Sequence, residues 1–309
     1  MTALDDVRDR AVDLGFAAGW RLVRAMPESA ARGLFRTAAD VGLRRDGRGA
    51  RQLRRNLRRV VGPLMPEVEL TDLVRAGLRS YARYWQEAFR LPSMDKKDVA
   101  ARFDLDGIDV MDKSIAAGQG VVLVLPHMGN WDVAGLWLIE HGVPFTTVVE
   151  RLKPDSLFRR FVAYREAIGM EILPLTGGAG LTSTVLAERL AAGGCVCLVG
   201  DRDLSSRGVD VEFFGETARM PAGPAMLAAR TGAALHPVGL WNDGPDWAGR
   251  VGGAVTLPEG SLTASVRAGT QRIADEFAVS IAAHPADWHM LQRLWVSDLR
   301  AGTDEAAGR

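Results

Sequence analysis

The sequence predicts an α/β fold, with a mostly parallel central β-sheet flanked by helices and an N-terminal helical region. From about residue 119, short apolar segments rich in β-branched residues alternate with segments of helical character. The short segments are apolar on both faces, as in parallel strands covered by helices on both sides. The predicted strands are GVVLVLP (120–126), FTTVVE (145–150), EILPL (171–175), CVCLVGD (195–201) and HPVGLW (236–241).

The segments between these strands have the length of helices, and most of them end at glycine, a frequent helix C-cap. They are NWDVAGLWLIEHG (130–142), DSLFRRFVAYREAIG (155–169), LTSTVLAERLAAG (181–193) and AGPAMLAARTG (222–232). A strand RVGGAVTLP (250–258) and a helix from about 261 to 283 complete the predicted core. We expect one domain over 1–309, with a helical region in 1–92 and the α/β core in 93–309.

The segment ELTDLVRAGLRSYARYWQEAFRLP is the most regular helix predicted before the core. Thr71 is a candidate N-cap, and Pro92 should stop the helix soon after Arg90. Four aromatic residues lie on this helix: Tyr81, Tyr84, Trp85 and Phe89. They either pack in the core or form an apolar wall for a ligand.

The composition is ordinary for a soluble globular protein, with 47% apolar residues, 25% charged residues and a net charge of zero. Cys195 and Cys197 are expected to be reduced thiols on one side of a strand, since a zinc site needs more ligands. No segment has the roughly 18 apolar residues of a membrane span. MTALDDVRDR has acids where a signal peptide is basic, so we expect the protein in the cytoplasm.

Positive charge is concentrated in residues 41–60, which contain eight arginines (44, 45, 48, 51, 54, 55, 58 and 59) and one acid, Asp46. These arginines form a solvated helix face or bind an anionic surface. No aromatic residue lies among them, so we predict no nucleic-acid partner.

An amphipathic helix is predicted upstream, and its apolar face includes Leu14, Phe16, Trp20 and Val23. It either contacts a membrane together with the arginines or packs on the core.

The segment HMGNWD holds the candidate catalytic residues His127 and Asp132. His127 follows the carboxyl end of a buried strand, where α/β sheets bind ligands. Asn130 is expected to cap the next helix, which puts Asp132 in its first turn. Asp132 can then hold one imidazole nitrogen and leave the other as a general base. The alternative is a structural histidine.

Other strand ends also carry charged residues: Glu150 follows FTTVV, and Asp201 and Arg202 follow CVCLVG. They are expected to share one edge of the sheet with His127. The chain has no G-x-S-x-G elbow and no G-x-x-x-x-G-K-[ST] loop. A base without a protein nucleophile favours direct deprotonation of a substrate hydroxyl.

Three blocks resemble the late lipid A acyltransferase family of bacteria, within the lysophospholipid acyltransferase superfamily. They are PHMGNWD, the stretch from GDRDLSSRG to AALHPV, and HPADWHMLQRLW, and the resemblance covers about 70 to 297. YARYWQEAFRLP and the stretch from FTTVVERLKP to EILPLTGG resemble the actinobacterial branch, the phosphatidylinositol mannoside acyltransferases.

The resemblance implies transfer of a palmitoyl-type chain from acyl-CoA to a mannose 6-hydroxyl of a membrane glycolipid. It needs no metal or other cofactor. His127 is then the base and Asp132 its partner, while Glu150 and Arg165 match further polar residues of the site. Asp201 is expected to bind the substrate, through hydroxyls of the acceptor. It stands where the branch is expected to have glutamate, and the wider lipid A branch has aspartate in a similar block.

Further roles follow from this reading of the site. The oxyanion is expected to bind backbone N–H groups near Asn130 and Trp131. Arg165 and Arg202 are expected to bind phosphate of the acceptor or of coenzyme A, or to form structural salt bridges. The aromatic helix near 81–89 is the candidate wall of the acyl groove. Attachment is expected to be peripheral, at an anionic surface on the cytoplasmic face of the plasma membrane.

Three alternatives stay open at the level of the sequence. The acceptor can be lipid A-like or another lysophospholipid. The protein can be a non-catalytic lipid-binding protein of the membrane surface, although a binder has no need of an oriented base. A thioesterase would use water in place of the sugar.

Overall fold

The computed structural model describes residue 15 and residues 18–149, 155–174, 179–203 and 207–299. A helical segment at 18–25 comes first. The helices that follow are α1 (Glu28–Arg44), α2 (Arg48–Val61), α3 (Glu67–Arg90), α4 (Lys96–Ala101), α5 (Ile108–Ala116), α6 (Trp131–Glu140), α7 (Asp155–Ile168), α8 (Ala179–Ala191), α9 (Gly223–Thr231) and α10 (Leu262–Ala283). The strands are β1 (Phe103–Asp106), β2 (Val121–Leu125), β3 (Phe145–Val149), β4 (Glu171–Pro174), β5 (Cys195–Val199), β6 (Val209–Phe213), β7 (Glu216–Met220), β8 (Ala234–Asp243) and β9 (Asp246–Val251).

The main sheet has seven strands in the order β1-β9-β8-β2-β5-β3-β4. All its neighbours run parallel except β8 and β9. This confirms the predicted fold class. β2 lies in the middle of the sheet, and all five of its residues are buried. Its continuous apolar sequence therefore reflects helices on both faces of the sheet.

The two faces of β2 belong to different cores. Val122 and Val124 pack with residues of α8, α9 and α10. Leu123 and Leu125 pack with residues of α5, α6 and α7. Alternate residues of a strand point to opposite faces, so one short strand supports both layers.

Two predicted details are wrong, and one hairpin was not predicted. The strand predicted at 250–258 ends at Val251, because Gly252 begins an irregular connection whose N–H donates to Pro237 O at 2.7 Å. α3 begins at Glu67, and Thr71 lies inside it with its hydroxyl donating to Glu67 O at 2.7 Å. The hairpin of β6 and β7 was missed, although Phe214 and Gly215 have the positive φ angles, 51° and 77°, of a tight hairpin turn.

The N-terminal apolar helix packs in the core where it is described. Trp20 is 8% exposed and Val23 is 7% exposed. The Trp20 ring contacts Phe89 and Phe161 at 5.1 Å between centroids, and its indole N–H donates to Phe89 O at 2.8 Å. The core alternative is therefore correct for Trp20 and Val23. Leu14 and Phe16 lie outside the described residues.

Half of the arginines in 41–60 form ion pairs. Arg54 and Arg58 both contact Glu67. Arg59 contacts Glu216 at 2.8 Å and Asp298 at 3.0 Å, and Arg51 contacts Asp46 at 3.4 Å. The remaining four, Arg44, Arg45, Arg48 and Arg55, are exposed and have no ion-pair partner among the described residues.

Both cysteines are free thiols, as expected, and their side chains pack on the same face of β5. In the described part of the chain, no helix has the length and apolar character needed to cross a bilayer.

Replacing Trp20 by Ala is expected to lower the free energy of unfolding by about 3–5 kcal/mol, because a buried aromatic side chain leaves a cavity. Leu22 is 60% exposed on the same helix, so Leu22→Ala should change it by less than about 0.5 kcal/mol. Urea denaturation of both variants measures the difference. Equal, small effects would show that the helix is not part of the folded core.

Candidate active site

The parallel pairing of β2 with β5 positions His127. Leu125 is in register with Val199, and two residues further along each chain stand His127 and Asp201. The Gly200 N–H donates to Leu125 O at 2.8 Å, which continues the pairing past the strand ends. A Cβ at Gly200 would lie 2.5 Å from Val124 Cγ2, so only glycine permits this approach.

His127 Nδ1 lies 2.5 Å from Asp201 Oδ1. The His127 backbone N–H donates to Asp201 Oδ2 at 2.8 Å. An ionised carboxylate only accepts hydrogen bonds, so Nδ1 carries the proton and Nε2 is the acceptor. Nε2 has no partner among the described residues, and the His127 side chain is 31% exposed. This is the arrangement of a general base whose tautomer is fixed by a carboxylate.

Asp132 does not hold His127, and this corrects the predicted pair. Its carboxylate accepts two hydrogen bonds from Arg165, at 2.7 and 3.2 Å, and one from the Tyr84 hydroxyl at 3.2 Å. The predicted turn does form, since Asn130 Oδ1 caps α6 by accepting from the N–H groups of Asp132 and Val133. α6 directs the carboxylate toward α3 and α7, while β5 supplies the partner of His127.

Burial competes with local charges and hydrogen bonds in setting the pKa values of three groups of the site. Burial would raise the pKa of Asp201, but His127 and the Trp288 indole N–H together lower it below its usual value. Burial would likewise lower the pKa of Arg165, but Asp132 raises it above the usual value. Burial and the charge of Asp132 raise the pKa of Tyr84 well above its usual value, so Tyr84 stays a donor.

The segment 287–289 forms hydrogen bonds with the loop of His127 and with Asp201. The His289 N–H donates to His127 O at 2.7 Å, and the Gly129 N–H donates to Asp287 O at 2.9 Å. Trp288 Nε1 donates to Asp201 Oδ2 at 3.0 Å. The resemblance included HPADWHMLQRLW, but no local pattern assigned these residues to the site.

His289 is a second histidine behind the first, and it is buried. Burial and the nearby His127 lower the pKa of His289 to about 3, so it is neutral. Its Nε2 lies 2.9 Å from Ser80 Oγ. Ser80 and Asn242 also hydrogen-bond Asp287, which attaches the segment to α3 and β8.

Glu87 is another missed residue that supports the site. It is 5% exposed and accepts hydrogen bonds from Asn130 Nδ2 and Trp247 Nε1, both at 2.8 Å. It therefore fixes the residue that caps α6. A glutamate within an aromatic-rich helix gave no signal of this role.

Two cavities meet beside His127. The open cavity has a volume of about 510 Å³, and its lining includes His127, Leu186, Arg202, Pro224 and Arg230. The narrow cavity is mostly apolar and runs between α6 and the sheet, where its lining includes Met111, Leu123, Gly135, Phe145, Met170 and Leu240. Trp131 lines both.

The described lining of neither cavity includes the aromatic residues of α3. Tyr84 and Trp131 instead pack with ring centroids 4.2 Å apart, and Trp85 packs on Phe161 at 5.9 Å. This packing agrees with the core alternative for helix 81–89, and neither of these two cavities supports the alternative of a ligand wall. Of these four aromatic residues, Tyr84 supports the Trp131 ring.

The other predicted site residues have different outcomes. Asp201, predicted to bind the substrate, is fully buried, is not in the described lining of either cavity, and holds His127 instead. Arg165 lines both cavities but is committed to Asp132. Arg202 lines the open cavity and has no ion-pair partner among the described residues, and the same holds for Arg230, which was not predicted. Glu150 lies outside the described residues. Within the described ranges, no three histidine, cysteine or acidic side chains gather as metal ligands.

An oriented histidine at the carboxyl edge of the sheet can act as a base, and the apolar cavity nearby can bind an acyl chain. Together they are typical of an enzyme that acts on acyl groups. The family model for bacterial lipid A biosynthesis acyltransferases matches residues 7–297, so the chain belongs to this family and is an O-acyltransferase. The family resemblance is confirmed.

Two relatives carry the name phosphatidylinositol mannoside acyltransferase. The chain is 54% identical over 297 residues to the protein of Mycolicibacterium smegmatis, which covers 96% of this chain and 94% of that one. It is 50% identical over 292 residues to the protein of Mycobacterium tuberculosis H37Rv, which covers 94% of this chain and 90% of that one.

Asp132→Asn and Arg165→Met are each expected to lower the free energy of unfolding by about 3–5 kcal/mol, because each leaves a buried charge or its partner unpaired. The double variant should lose less than the sum, since it contains no uncompensated charge. Urea denaturation measures all three. Additive losses would mean that the two side chains do not stabilise each other. Asp109→Asn, which removes the exposed pair with Lys113, should leave stability nearly unchanged.

Proposed function

We propose that the protein transfers a fatty acyl chain, palmitoyl in the first instance, from acyl-CoA to the mannose 6-hydroxyl of a phosphatidylinositol mannoside. The observation that carries the proposal is His127, whose Nδ1 is held by a buried carboxylate while its side chain lines the open cavity. The names of the two relatives support the acceptor class. The proposed donor, chain length and mannose position come from the sequence resemblance alone.

The chemistry is a direct transfer without an acyl-enzyme. Nε2 of His127 takes the proton of the sugar hydroxyl as its oxygen attacks the thioester carbonyl. The tetrahedral intermediate then expels the thiolate. The thiolate accepts from the imidazolium the proton that came from the sugar hydroxyl, and it leaves as CoA-SH. Asp201 stabilises the imidazolium formed between these steps. His127 and Asp201 supply this chemistry, and no resident cofactor enters the scheme.

The Trp131 N–H is the proposed oxyanion donor. It is the first N–H of α6, and it has no partner among the described residues. The next two N–H groups are already bound by Asn130 Oδ1. A free N–H at a helix N-terminus favours developing negative charge. Asn130, proposed from the sequence as part of the same donor set, then acts mainly as the cap that keeps Trp131 in place.

The narrow cavity is the proposed site of the acyl chain. Its lining extends from Val149 of β3 to Leu105 of β1, which is five strand spacings across the sheet, or roughly 24 Å. Apart from Asp132 and Arg165 near Trp131, its lining is almost entirely apolar. This leaves the open cavity for the sugar and for the polar part of the donor.

Phosphate groups of the substrates are proposed to bind at Arg202 and Arg230, at the border of the open cavity. Both have guanidinium groups free of ion pairs with described residues, and an arginine fork matches a phosphate. Arg165 is a weaker candidate than the sequence indicated, because Asp132 takes its hydrogen-bonding edge. Glu150 follows β3 in the chain and remains a proposed contact of the acceptor.

One experiment tests the reaction as a whole. The purified protein is incubated with labelled palmitoyl-CoA and a panel of acceptors: phosphatidylinositol mannosides, a lipid A precursor and a lysophospholipid. Acylated phosphatidylinositol mannoside is the expected product, identified by mass spectrometry. Free palmitate alone would indicate a thioesterase, and unchanged donor with bound lipid would indicate a binding protein. A product only with another acceptor would overturn the proposed substrate.

His127→Ala is expected to lower kcat by about 10²–10⁴-fold, because it removes the base. Asp201→Asn should cause a loss in the same range, since the amide cannot stabilise an imidazolium as a carboxylate does. Steady-state kinetics of the folded variants measure both. His141, stacked on Trp137 on the surface of α6, provides the control His141→Ala, which should keep full activity. Full activity in folded His127→Ala would exclude the mechanism.

Gly135→Val is expected to shift donor preference toward shorter chains. A Cβ at Gly135 would lie 2.6 Å from Met170 Cε and 3.0 Å from Phe145 Cζ, so a larger side chain narrows the cavity. The ratio of kcat/KM for palmitoyl-CoA to that for decanoyl-CoA should fall at least about tenfold.

Gly223→Val is the matched control. Gly223 lines the open cavity, and a Cβ there would meet no atom within 4 Å. The control should leave chain preference unchanged. A shift in Gly223→Val, with none in Gly135→Val, would place the acyl chain in the open cavity instead.

Attachment to the cytoplasmic face of the plasma membrane is proposed to be peripheral and electrostatic. Because Trp20 and Val23 are in the core, their apolar surface is not available for it. Leu64, just after α2, and Val68, in the first turn of α3, are 95% and 74% exposed, and they offer apolar contact to a membrane. The exposed, unpaired arginines of α2 are the better candidates for lipid phosphate than Arg54 and Arg58.

Arg48→Ser/Arg55→Ser is expected to weaken binding to anionic liposomes by about 2 kcal/mol, or roughly thirtyfold, because each arginine at such a surface contributes about 1 kcal/mol. Arg54→Ser/Arg58→Ser removes two positive charges from the same helix, but these two arginines are paired with Glu67. This double variant should therefore weaken liposome binding less than Arg48→Ser/Arg55→Ser does. Sedimentation at two salt concentrations measures both, with binding weaker in higher salt. Binding that ignores both salt and lipid charge would contradict the electrostatic attachment.

A further inference from the structure

The segment 287–289 packs against the His127 loop through a single antiparallel bridge. Met128 and Trp288 form an isolated antiparallel bridge, and the hydrogen bonds from the His289 and Gly129 N–H groups flank it. Trp288 is fully buried. Its ring lies among Phe213 and Trp295 with centroids 6.1 Å away in each case. The indole is therefore fixed both by its backbone and by its ring.

The Asp201 carboxylate is fully buried, and its two oxygens have different partners. Oδ2 accepts from the His127 N–H and from Trp288 Nε1, whereas Oδ1 faces His127 Nδ1. A carboxylate is planar, so two donors on Oδ2 fix its rotation and thereby direct Oδ1 at the imidazole. Of these two donors, only the Trp288 indole is a side chain that a substitution can remove.

We infer that Trp288 is a positioning residue of the reaction, which acts through Asp201 to keep the carboxylate aimed at His127. The inference rests on the proposed function for its kinetic consequence, because the aligned carboxylate matters most when the imidazolium forms. It goes beyond that function by assigning a role to a residue that touches neither substrate nor base. Its effect is expected on kcat, with KM little changed, since Trp288 is not part of the described lining of either cavity.

Trp288→Phe tests this, with Trp295→Phe as the matched control. Trp295 is equally buried, packs in the same aromatic group and donates its indole N–H to Phe213 O at 3.1 Å, away from the site. Trp288→Phe should lower kcat by at least about tenfold, the range expected for a lost hydrogen bond to a charged group. Trp295→Phe should keep kcat within about twofold. Equal losses in the two variants would overturn the inference.

A double-mutant cycle separates positioning from general support of the fold. If Trp288 acts through Asp201, then Trp288→Phe should cause little further loss of kcat in a protein that already has Asp201→Asn. A loss of the same factor in both backgrounds would mean that Trp288 supports the fold and not the carboxylate. Either result decides the point.

Proton NMR gives a readout that needs no substrate. The Nδ1–H proton of His127, held by Asp201, should give a far-downfield signal that disappears in Asp201→Asn. Trp288→Phe should shift or broaden this signal, and Trp295→Phe should leave it in place. An unchanged signal in Trp288→Phe would overturn the inference, even if the acyl transfer itself had not been found.

The role of the Trp288 indole N–H can also be tested if Trp288→Phe does not fold. Site-specific incorporation of benzothienylalanine at position 288 keeps the shape of the ring and replaces the N–H by sulfur. The same loss of kcat and the same change of the proton signal are expected in this protein. Wild-type values for both would overturn the proposed role of the indole N–H.

Discussion

The pairing of β2 with β5 is the constraint on which the site depends. The two strands are far apart in sequence, but their register brings His127 and Asp201 to the same level at the carboxyl edge of the sheet. Gly200 permits the close approach, and Gly129, at φ 60°, turns the loop where a Cβ would lie 2.7 Å from Leu240. The histidine is therefore oriented by the sheet and not by a flexible loop.

Two buried carboxylates share this edge, and their environments separate their roles. Asp201 has neutral donors and the imidazole around it, so its charge is available to the base. Asp132 faces Arg165 and Tyr84, so its charge is compensated within the fold. Trp131 lies between them at the start of α6 and lines both cavities. The ion pair of Asp132 with Arg165 stabilises α6, whose first residue, Trp131, lines both cavities. Asp201 supports the base that faces the open cavity.

Local patterns in the sequence were sufficient for most of the sheet. β2, β3, β4, β5 and β8 lie in segments that are mostly apolar or β-branched, and each was predicted, as was the cap at Asn130. β1 was missed because Phe103–Asp106 alternates acids with apolar residues over only four positions. The partner of His127 was assigned to Asp132 because the two are close in the chain. The strand-end pattern predicted that Asp201 shares the sheet edge with His127. Its direct hydrogen bond to His127 depends on strand order, which is non-local, and the contact of Trp288 could not be predicted without the fold.

The dependence of the His127 loop on residues 287–289 also sets an order in time. A chain emerges from the ribosome N-terminus first, and Trp288 lies 161 positions after His127. At about 5–20 residues per second, that interval is roughly 8–32 s. During it, β2 can exist while Asp201 has no indole to hold it and the His127 loop lacks its hydrogen bonds to residues 287–289. A nascent chain is thus expected to hold an unsupported histidine, and activity begins only after Trp288 has been translated.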